Sequence, residues 1–422
     1  MRILLTANAS YIPPRGGATR SNLVWMDHLA KAGHECRIVC ASLGEGAGRR
    51  EQMRQEGIDA GARETDGVEI GRRGAIEVRS VIEPARRALV LKEQIASFRP
   101  DWVLVSSEDL GHALLREAHH GAPGRVVYVA HTPQFFPFGR ESWNPDPKGA
   151  ELVAQSAGIV AIGRSMAAYI EEAVGRMPAV IHPPIYGEGP FPLRANFDGG
   201  MATMINPCAV KGISIFLELA ALFPDVRFAA LPGWGTTAAD RATLAAAPNV
   251  EILANCGDID EVLARTRVLL MPSLWFEGFG LIVMEAMLRG IPVIASDWGG
   301  LKESKEGTGY VVPVAPIERY ELTFDERGMP QPVAPLTPIE PWRRALSGLL
   351  ASREEYMRES ERSRAAALAF VGGLRAAQLE EYLLGLQPRE GAAATPARME
   401  SLTPAQRALL LERLRRRKRE GA

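Results

Sequence analysis

Residues 268–296 read VLLMPSLWFEGFGLIVMEAMLRGIPVIAS, a unit of strand, loop, helix and strand. Val268 to Met271 is a short apolar run of strand character. Glu277-Gly278-Phe279-Gly280-Leu281-Ile282-Val283-Met284-Glu285 opens a helix that ends near Gly290-Ile291-Pro292, and Val293 to Ala295 resumes as a strand. A helix that starts just beyond a strand offers unpaired backbone N–H groups and a partial positive charge. Glycines at 278 and 280 let a bulky anion such as a diphosphate approach that backbone closely. Glu285 is the anomaly, a carboxylate with Leu281, Ile282, Val283, Met284, Ala286, Met287 and Leu288 around it. Buried without a partner, it would cost at least several kcal/mol. A vicinal diol such as a ribose would satisfy both its oxygens; the competing reading is a structural glutamate holding a neighbouring loop.

Outward from this unit, the same alternation fills the chain. Upstream lie strand-like runs at Met201 to Ile205, Val226 to Leu231 and Val250 to Leu253, with a helix from about Ile213. Near the start, Ile3 to Ala7 is a strand, Pro13-Pro14-Arg15-Gly16-Gly17 a loop, Thr19 to Ala32 a helix and Glu35 to Ala41 a second strand. Further strands follow at Trp102 to Val105, Val126 to Ala130 and Gly158 to Ile162. Short apolar strands alternating with helices predict an α/β fold of parallel sheets covered on both faces. Tyr186 to Gly200 dissolves into Gly, Pro and Asn and reads as a linker. The expectation is two doubly wound Rossmann-like domains facing a central cleft, residues 1–190 and 191–360. A C-terminal helix, 361–386, crosses back to the first domain, and 387–422 forms a tether and a short amphipathic helix. Ligands in such sheets sit beyond the carboxyl ends of the strands. Pro313 to Pro341 reads as an irregular surface excursion, and Arg343 to Leu384 as helical.

A chain of 422 residues with 46% apolar content has material for two cores. Its net charge of -1 gives no electrostatic case for nucleic acid or an anionic membrane as partner. Cys36, Cys40, Cys208 and Cys256 show no metal-ligand spacing and read as buried free thiols in a reducing compartment. Ala7-Asn8-Ala9 imitates a signal-peptide cleavage site, but Ile3-Leu4-Leu5 is far too short an apolar stretch before it. The run Leu281 to Leu288, interrupted by Glu285, cannot span a bilayer. A cytoplasmic location is expected.

Glu277 and Glu285 are too far apart to act as the two carboxylates of a glycosidase. Eight residues of helical rise separate them by about 12 Å, against roughly 5–9.5 Å in such enzymes. Two contacts on one long ligand fit better. With this Glu, seven residues, Glu element before the small-residue strand Gly290-Ile291-Pro292-Val293-Ile294-Ala295-Ser296, the sequence resembles the family-4 retaining glycosyltransferases of the GT-B fold. The resemblance extends, more weakly, to about Leu384. It implies that Glu277 contacts a donor sugar and Glu285 holds the nucleotide ribose, with Gly278, Phe279, Gly280 and Leu281 beside the diphosphate.

Asn206-Pro207-Cys208-Ala209-Val210-Lys211-Gly212 adds to it. The family pairs the Lys with an Arg five residues earlier; Lys211 matches, while Asn206 stands at the Arg position. Lys211 works with the helix terminus alone, or another cation such as Arg15 or Arg20 helps. Gly16-Gly17 matches the family's glycine loop, and His131, at the end of a strand, its histidine near the donor sugar. Within Ser296-Asp297-Trp298-Gly299-Gly300-Leu301-Lys302-Glu303, Glu303 is a lesser candidate for donor contact. Asp258-Ile259-Asp260 imitates a metal motif, but an Asp there caps the helical run that follows.

The reaction so implied is retaining transfer of a sugar from a nucleoside diphosphate-sugar, UDP-sugar favoured, to a small-molecule or natural-product acceptor. Glu277, His131 and Lys211 form the catalytic set. No cofactor and no metal are expected, only the nucleotide-sugar as co-substrate. The alternatives are a sugar-nucleotide epimerase of the same fold and a degenerate transferase acting as a binding partner. In the tail, Thr403-Pro404-Ala405-Gln406 starts a helix with Leu409, Leu410, Leu411 and Leu414 on one face. It resembles the segment that introduces condensation domains in modular peptide synthetases, which implies docking on such a synthetase; a solvated terminal helix is the plainer reading.

Overall fold

The computed structural model describes residues 1–14, 16–43, 63–254, 258–334 and 336–389. Arg15, Cys256 and the tail helix lie outside the described residues.

The first domain is built on a nine-stranded sheet. Its strands are β1 (Arg2–Thr6), β2 (Glu35–Ala41), β3 (Arg63–Thr65), β4 (Val68–Arg73), β5 (Ile76–Val81), β6 (Trp102–Ser106), β7 (Val126–Ala130), β8 (Gly158–Ala161) and β9 (Ala179–Val180), in the order β3-β4-β5-β2-β1-β6-β7-β8-β9. From β5 to β9 every pairing is parallel. Every residue of β6, β7 and β8 is buried, so these strands read as unbroken apolar runs. The strands β3 to β5 form an antiparallel edge that sequence patterning does not anticipate. Among the described residues five helices cover the sheet: α1 (Gly16–Lys31), α2 (Arg87–Phe98), α3 (Ala113–Gly121), α4 (Pro147–Gln155) and α5 (Arg164–Val174).

The second sheet is parallel throughout: β10 (Met201–Ile205), β11 (Phe228–Leu231), β12 (Val250–Ile252), β13 (Thr266–Met271), β14 (Val293–Ser296) and β15 (Val311–Val312), ordered β12-β11-β10-β13-β14-β15. The expected irregular excursion contains an antiparallel hairpin, β16 (Arg319–Phe324) with β17 (Pro330–Val333). Helices α6 (Ile213–Leu222), α7 (Ala238–Ala246), α8 (Ile259–Leu263), α9 (Leu281–Leu288) and α10 (Leu301–Ser304) belong to this half. The helical C-terminal region is three helices: α11 (Glu340–Ala351), α12 (Arg353–Gly372) and α13 (Gln378–Gly385). Ser352 makes the first break, its side chain accepting the Glu355 N–H as a helix cap.

In each sheet the strand order reverses direction at one strand, β1 with β2 and β6 as neighbours and β10 with β11 and β13. The crevice at such a switch point is where a doubly wound sheet binds its ligand. The two switch points face each other across α9. One apolar cluster runs from Ile3 and Leu5 of β1 through Val283, Met284 and Met287 of α9 to Leu379 and Leu383 of α13, so both halves share a core. Burying each such side chain contributes roughly 1.5–3 kcal/mol.

Candidate active site

The loop after β10 and the loop after β13 are pinned together. The N–H groups of Leu274 and Trp275 both donate to the Val210 carbonyl, at 3.0 and 2.9 Å. This brings the short turn Ala209–Lys211 against residues 273–277. Lys211 Nζ then lies 2.5 Å from Glu277 Oε1, and Ser273 Oγ donates to the same oxygen at 2.9 Å. The ammonium is also 5.1 Å from the Trp275 ring centroid, within cation–π range.

Beyond Glu277 the chain turns into α9. Gly280 has φ +93°, a left-handed conformation that disfavours other residues. Gly278 is required for a different reason: a Cβ there would sit 2.4 Å from the His131 carbonyl oxygen of the first domain. No hydrogen bond within the described residues takes up the backbone N–H groups of Gly278, Phe279, Gly280 or Leu281. They form a helix terminus of the kind that can receive an anion. Only the backbone of Phe279 belongs to the site; its ring is buried, stacked on Phe370 at 5.3 Å and against His182 at 5.0 Å.

Opposite α9 stands the start of α1. A Cβ on Gly17 would meet Leu281 Cδ1 at 2.9 Å, so the two helix N-termini converge on the cleft. Glu285, one turn into α9, is half-buried, and no hydrogen bond or ion pair reaches its carboxylate among the described residues. Burial raises its pKa, while the charges of Arg20 and Arg289 oppose that shift. Arg289 is already bonded to Asp260 and to the Glu285 carbonyl. Arg20 is exposed, with its charge directed at the same place. Tyr186 also faces Glu285 electrostatically, and its buried hydroxyl has no partner among the described residues.

His131 is buried at the end of β7. Its Nε2 lies 2.9 Å from Asn22 Oδ1, and Asn22 Nδ2 donates to Tyr11 and Ser106. The amide orientation makes Nε2 the protonated nitrogen, leaving Nδ1 an acceptor without a partner among the described residues. Burial lowers the His131 pKa, so the ring is neutral.

One expectation needs correction. Glu303 is no donor contact: its carboxylate accepts the N–H groups of Arg164 at 2.8 Å and Ser165 at 2.9 Å, capping α5 of the other domain. Asn206 stands in a left-handed turn with φ +56°, and its Oδ1 accepts the Gly235 N–H at 2.9 Å. Only its buried Nδ2, which has no partner, could reach a ligand. The metal look-alike is a cap, Asp258 Oδ1 accepting the Asp260 N–H, and Asp260 pairs with Arg194 and Arg289.

Comparisons with known proteins agree with this geometry. Residues 15–186 match the profile of Glycosyltransferase Family 4, and residues 201–320 that of Glycosyl transferases group 1. The chain belongs to the family-4-type glycosyltransferases of the GT-B fold. Among solved structures it is similar to Anabaena HepE in complex with UDP-glucose (TM-score 0.63, 14% identity, covering 91% of this chain and 98% of that one). The S. aureus TarM variant in complex with fondaparinux, alpha-GlcNAc-glycerol and UDP gives TM-score 0.62 at 10% identity, covering 91% and 99%. Identities this low carry the fold alone. An uncharacterized 42.6 kDa protein in the cps region of Klebsiella pneumoniae is 32% identical over 93 residues, 22% of this chain and 25% of that protein. The chain thus matches about a quarter of that curated relative's length. The structure also brings four candidates to this cleft that sequence patterns did not single out: Ser273 and Trp275 beside Glu277 and Lys211, Asn22 beside His131, and Tyr186 facing Glu285. The position of Ser273, just past the carboxyl end of β13, was the one available signal. No helix among the described residues is long and apolar enough to cross a membrane.

Proposed function

We propose that this glycosyltransferase moves a sugar from UDP-sugar to a small-molecule or natural-product acceptor with retention of anomeric configuration. The observation that carries the reading is the pairing of Lys211 with Glu277 beside the N-terminus of α9, with the Glu285 carboxylate, which no described residue pairs, one turn further on. That spacing matches a ligand with a diphosphate between a sugar and a ribose. In the reaction the bond from the anomeric carbon to the diphosphate oxygen breaks, and its electron pair leaves with the phosphate. Lys211 and the amides of residues 278–281 stabilise that charge, as preorganised donors do. The acceptor oxygen forms its bond to the same face of the carbon, and its proton passes to the leaving phosphate oxygen. Glu277 orients the sugar through its hydroxyls, and neutral His131 lines the first-domain side. Neither a cofactor nor a metal takes part.

The test is calorimetric binding of UDP, GDP and TDP to wild type and Glu285→Ala. It is followed by transfer assays with and without chelator and NMR of the product's anomeric proton. UDP binding lost in the variant, with chelator-insensitive transfer and retained configuration, supports the proposal. A wild type that binds no nucleotide defeats it, and donor interconversion without any acceptor favours an epimerase.

A further inference from the structure

The loop between β11 and α7, Pro232-Gly233-Trp234-Gly235-Thr236-Thr237, presents an exposed tryptophan between buried neighbours. Trp234 is 53% exposed, whereas Thr236 is fully buried and Pro232 and Gly235 are also buried. A single exposed apolar side chain is ordinary on a mobile loop, but this loop is pinned on every side. Gly235 N–H donates to Asn206 Oδ1 at 2.9 Å, Gly233 N–H to Thr236 Oγ1 at 3.0 Å, and Arg327 of the β16–β17 hairpin to the Thr236 carbonyl at 3.2 and 3.3 Å. At its far end a reciprocal Thr237–Asp240 capping box fixes the start of α7. The indole is therefore held out rather than left out.

It is held beside the reacting end of the site. Its ring centroid is 5.9 Å from Lys211 Nζ and 5.7 Å from the Trp275 ring. The neighbouring carboxylate, Glu277, takes both of its bonds on Oε1, so Oε2 is left to accept from a ligand hydroxyl. An open aromatic face next to a carboxylate and an ammonium is the chemistry that recognises a sugar ring, whose axial C–H bonds meet the π face while its hydroxyls meet the charged groups. Glu285, by contrast, is surrounded by Arg20, Arg289 and Tyr186, on the ribose side of the ligand in the reading above.

We propose that Trp234 is a stacking platform for a pyranose ring, a specificity-determining residue that acts on a sugar and not on the nucleobase. The proposal rests on the transferase reading of the site. Two sources can supply the ring, the donor's own sugar or a saccharide acceptor, and one experiment separates them. In the full chain, Trp234→Ala and Trp234→Phe are compared with wild type for calorimetric binding of UDP and of the UDP-hexoses carrying glucose, galactose and N-acetylglucosamine, and for binding of maltose to the UDP-loaded protein. UDP affinity is expected to stay within two-fold in all three proteins. Affinity for a UDP-hexose or for maltose is expected to fall ten-fold or more in the Ala variant and to be largely restored in the Phe variant. A loss confined to the UDP-hexose assigns the platform to the donor sugar; a loss confined to maltose assigns it to an acceptor saccharide. The proposal is overturned if UDP binding itself falls with the indole, which makes Trp234 a nucleobase platform. It is equally overturned if the wild type binds UDP but neither sugar ligand depends on Trp234. Failure of wild type to bind UDP at all refutes the transferase reading instead.

Discussion

Glu285 and Glu303 sit in consecutive helices of the same domain, each within five residues past a glycine and each with cationic or ring groups beside it, Arg20 and Arg289 for Glu285, Arg164 and His182 for Glu303. Their surroundings differ in one respect. Both oxygens of Glu303 are taken by N–H groups of α5, from the opposite domain. Among the described residues no hydrogen bond or ion pair takes those of Glu285. A carboxylate satisfied by the chain marks architecture, and one that the chain leaves unsatisfied marks a place for something else. The same contrast separates Lys211, turned to a half-buried carboxylate at the cleft, from Lys305, which is fully buried and donates to the Val293 carbonyl at 2.8 Å with Glu359 at 3.4 Å.

The comparison can be broken or sharpened by substitution. The largest effect belongs to Lys211→Ala, which removes a donor aimed at the leaving charge; kcat should fall about 10²–10³-fold, as steady-state kinetics would show, while the melting temperature hardly moves. Replacing Lys305 by Ala should do the reverse. It leaves Glu359 buried without its cation, and a denaturant titration should show a loss of about 3–5 kcal/mol.

Next comes Glu285→Ala, expected to weaken UDP binding about 10- to 100-fold, or about 1.4–2.8 kcal/mol, with stability kept or improved. Its charge supplies a pH signature. The ligand's hydroxyls need the ionised carboxylate, and burial has raised the pKa. Affinity should therefore be full at high pH and fall on acidification, starting above the pH at which an ordinary exposed glutamate protonates. Calorimetry of Glu285→Gln across the same range should be flat. Glu303→Ala should leave UDP affinity within two-fold and cost about 1 kcal/mol of stability, the loss of a helix cap. A Glu303→Ala protein that loses UDP binding while melting normally would erase the contrast. The smallest effect is Gly17→Ala, because the added Cβ meets only the flexible end of Leu281; transfer rates should change about two-fold or less, within the range of mild surface substitutions.

Much of the architecture was legible because the parallel strands are buried on both faces. Runs such as Val126 to Ala130 and Val268 to Met271 need no partner to be recognised. The antiparallel edge was not, since Val68 to Arg73 is half-buried and carries a glycine and two arginines. The hairpin was hidden by Pro330 and Pro332, which are tolerated because β17 pairs on one side only. The break at Ser352 carried a visible signal, Ser352-Arg353-Glu354-Glu355, the spacing of a capping box. At the site, Lys211, Glu277 and the glycines of α9 belong to two loops whose order along the chain follows the sheet, so local motifs pointed to them. Glu303 was misjudged because what satisfies it lies far away in sequence, at Arg164, and the tie of Asn206 to Gly235 was equally beyond the reach of a local motif.

The backbone crosses between the two sheets twice, once after β9 and once between α12 and α13. The crossings lie side by side, with Gln378 Nε2 donating to the Val180 carbonyl at 3.4 Å and Phe370 packed edge-on against His182 at 5.0 Å. On the far side of α1, Glu380 of α13 holds both His28 and His34. Two adjacent tethers remove most of the rigid-body degrees of freedom that a single linker would leave. With both tethers beside His182, rotation about an axis near it is the relative motion they oppose least. Opening and closing would then follow a single arc, so that a catalytic geometry spread over two lobes is recovered at every turnover instead of being searched for.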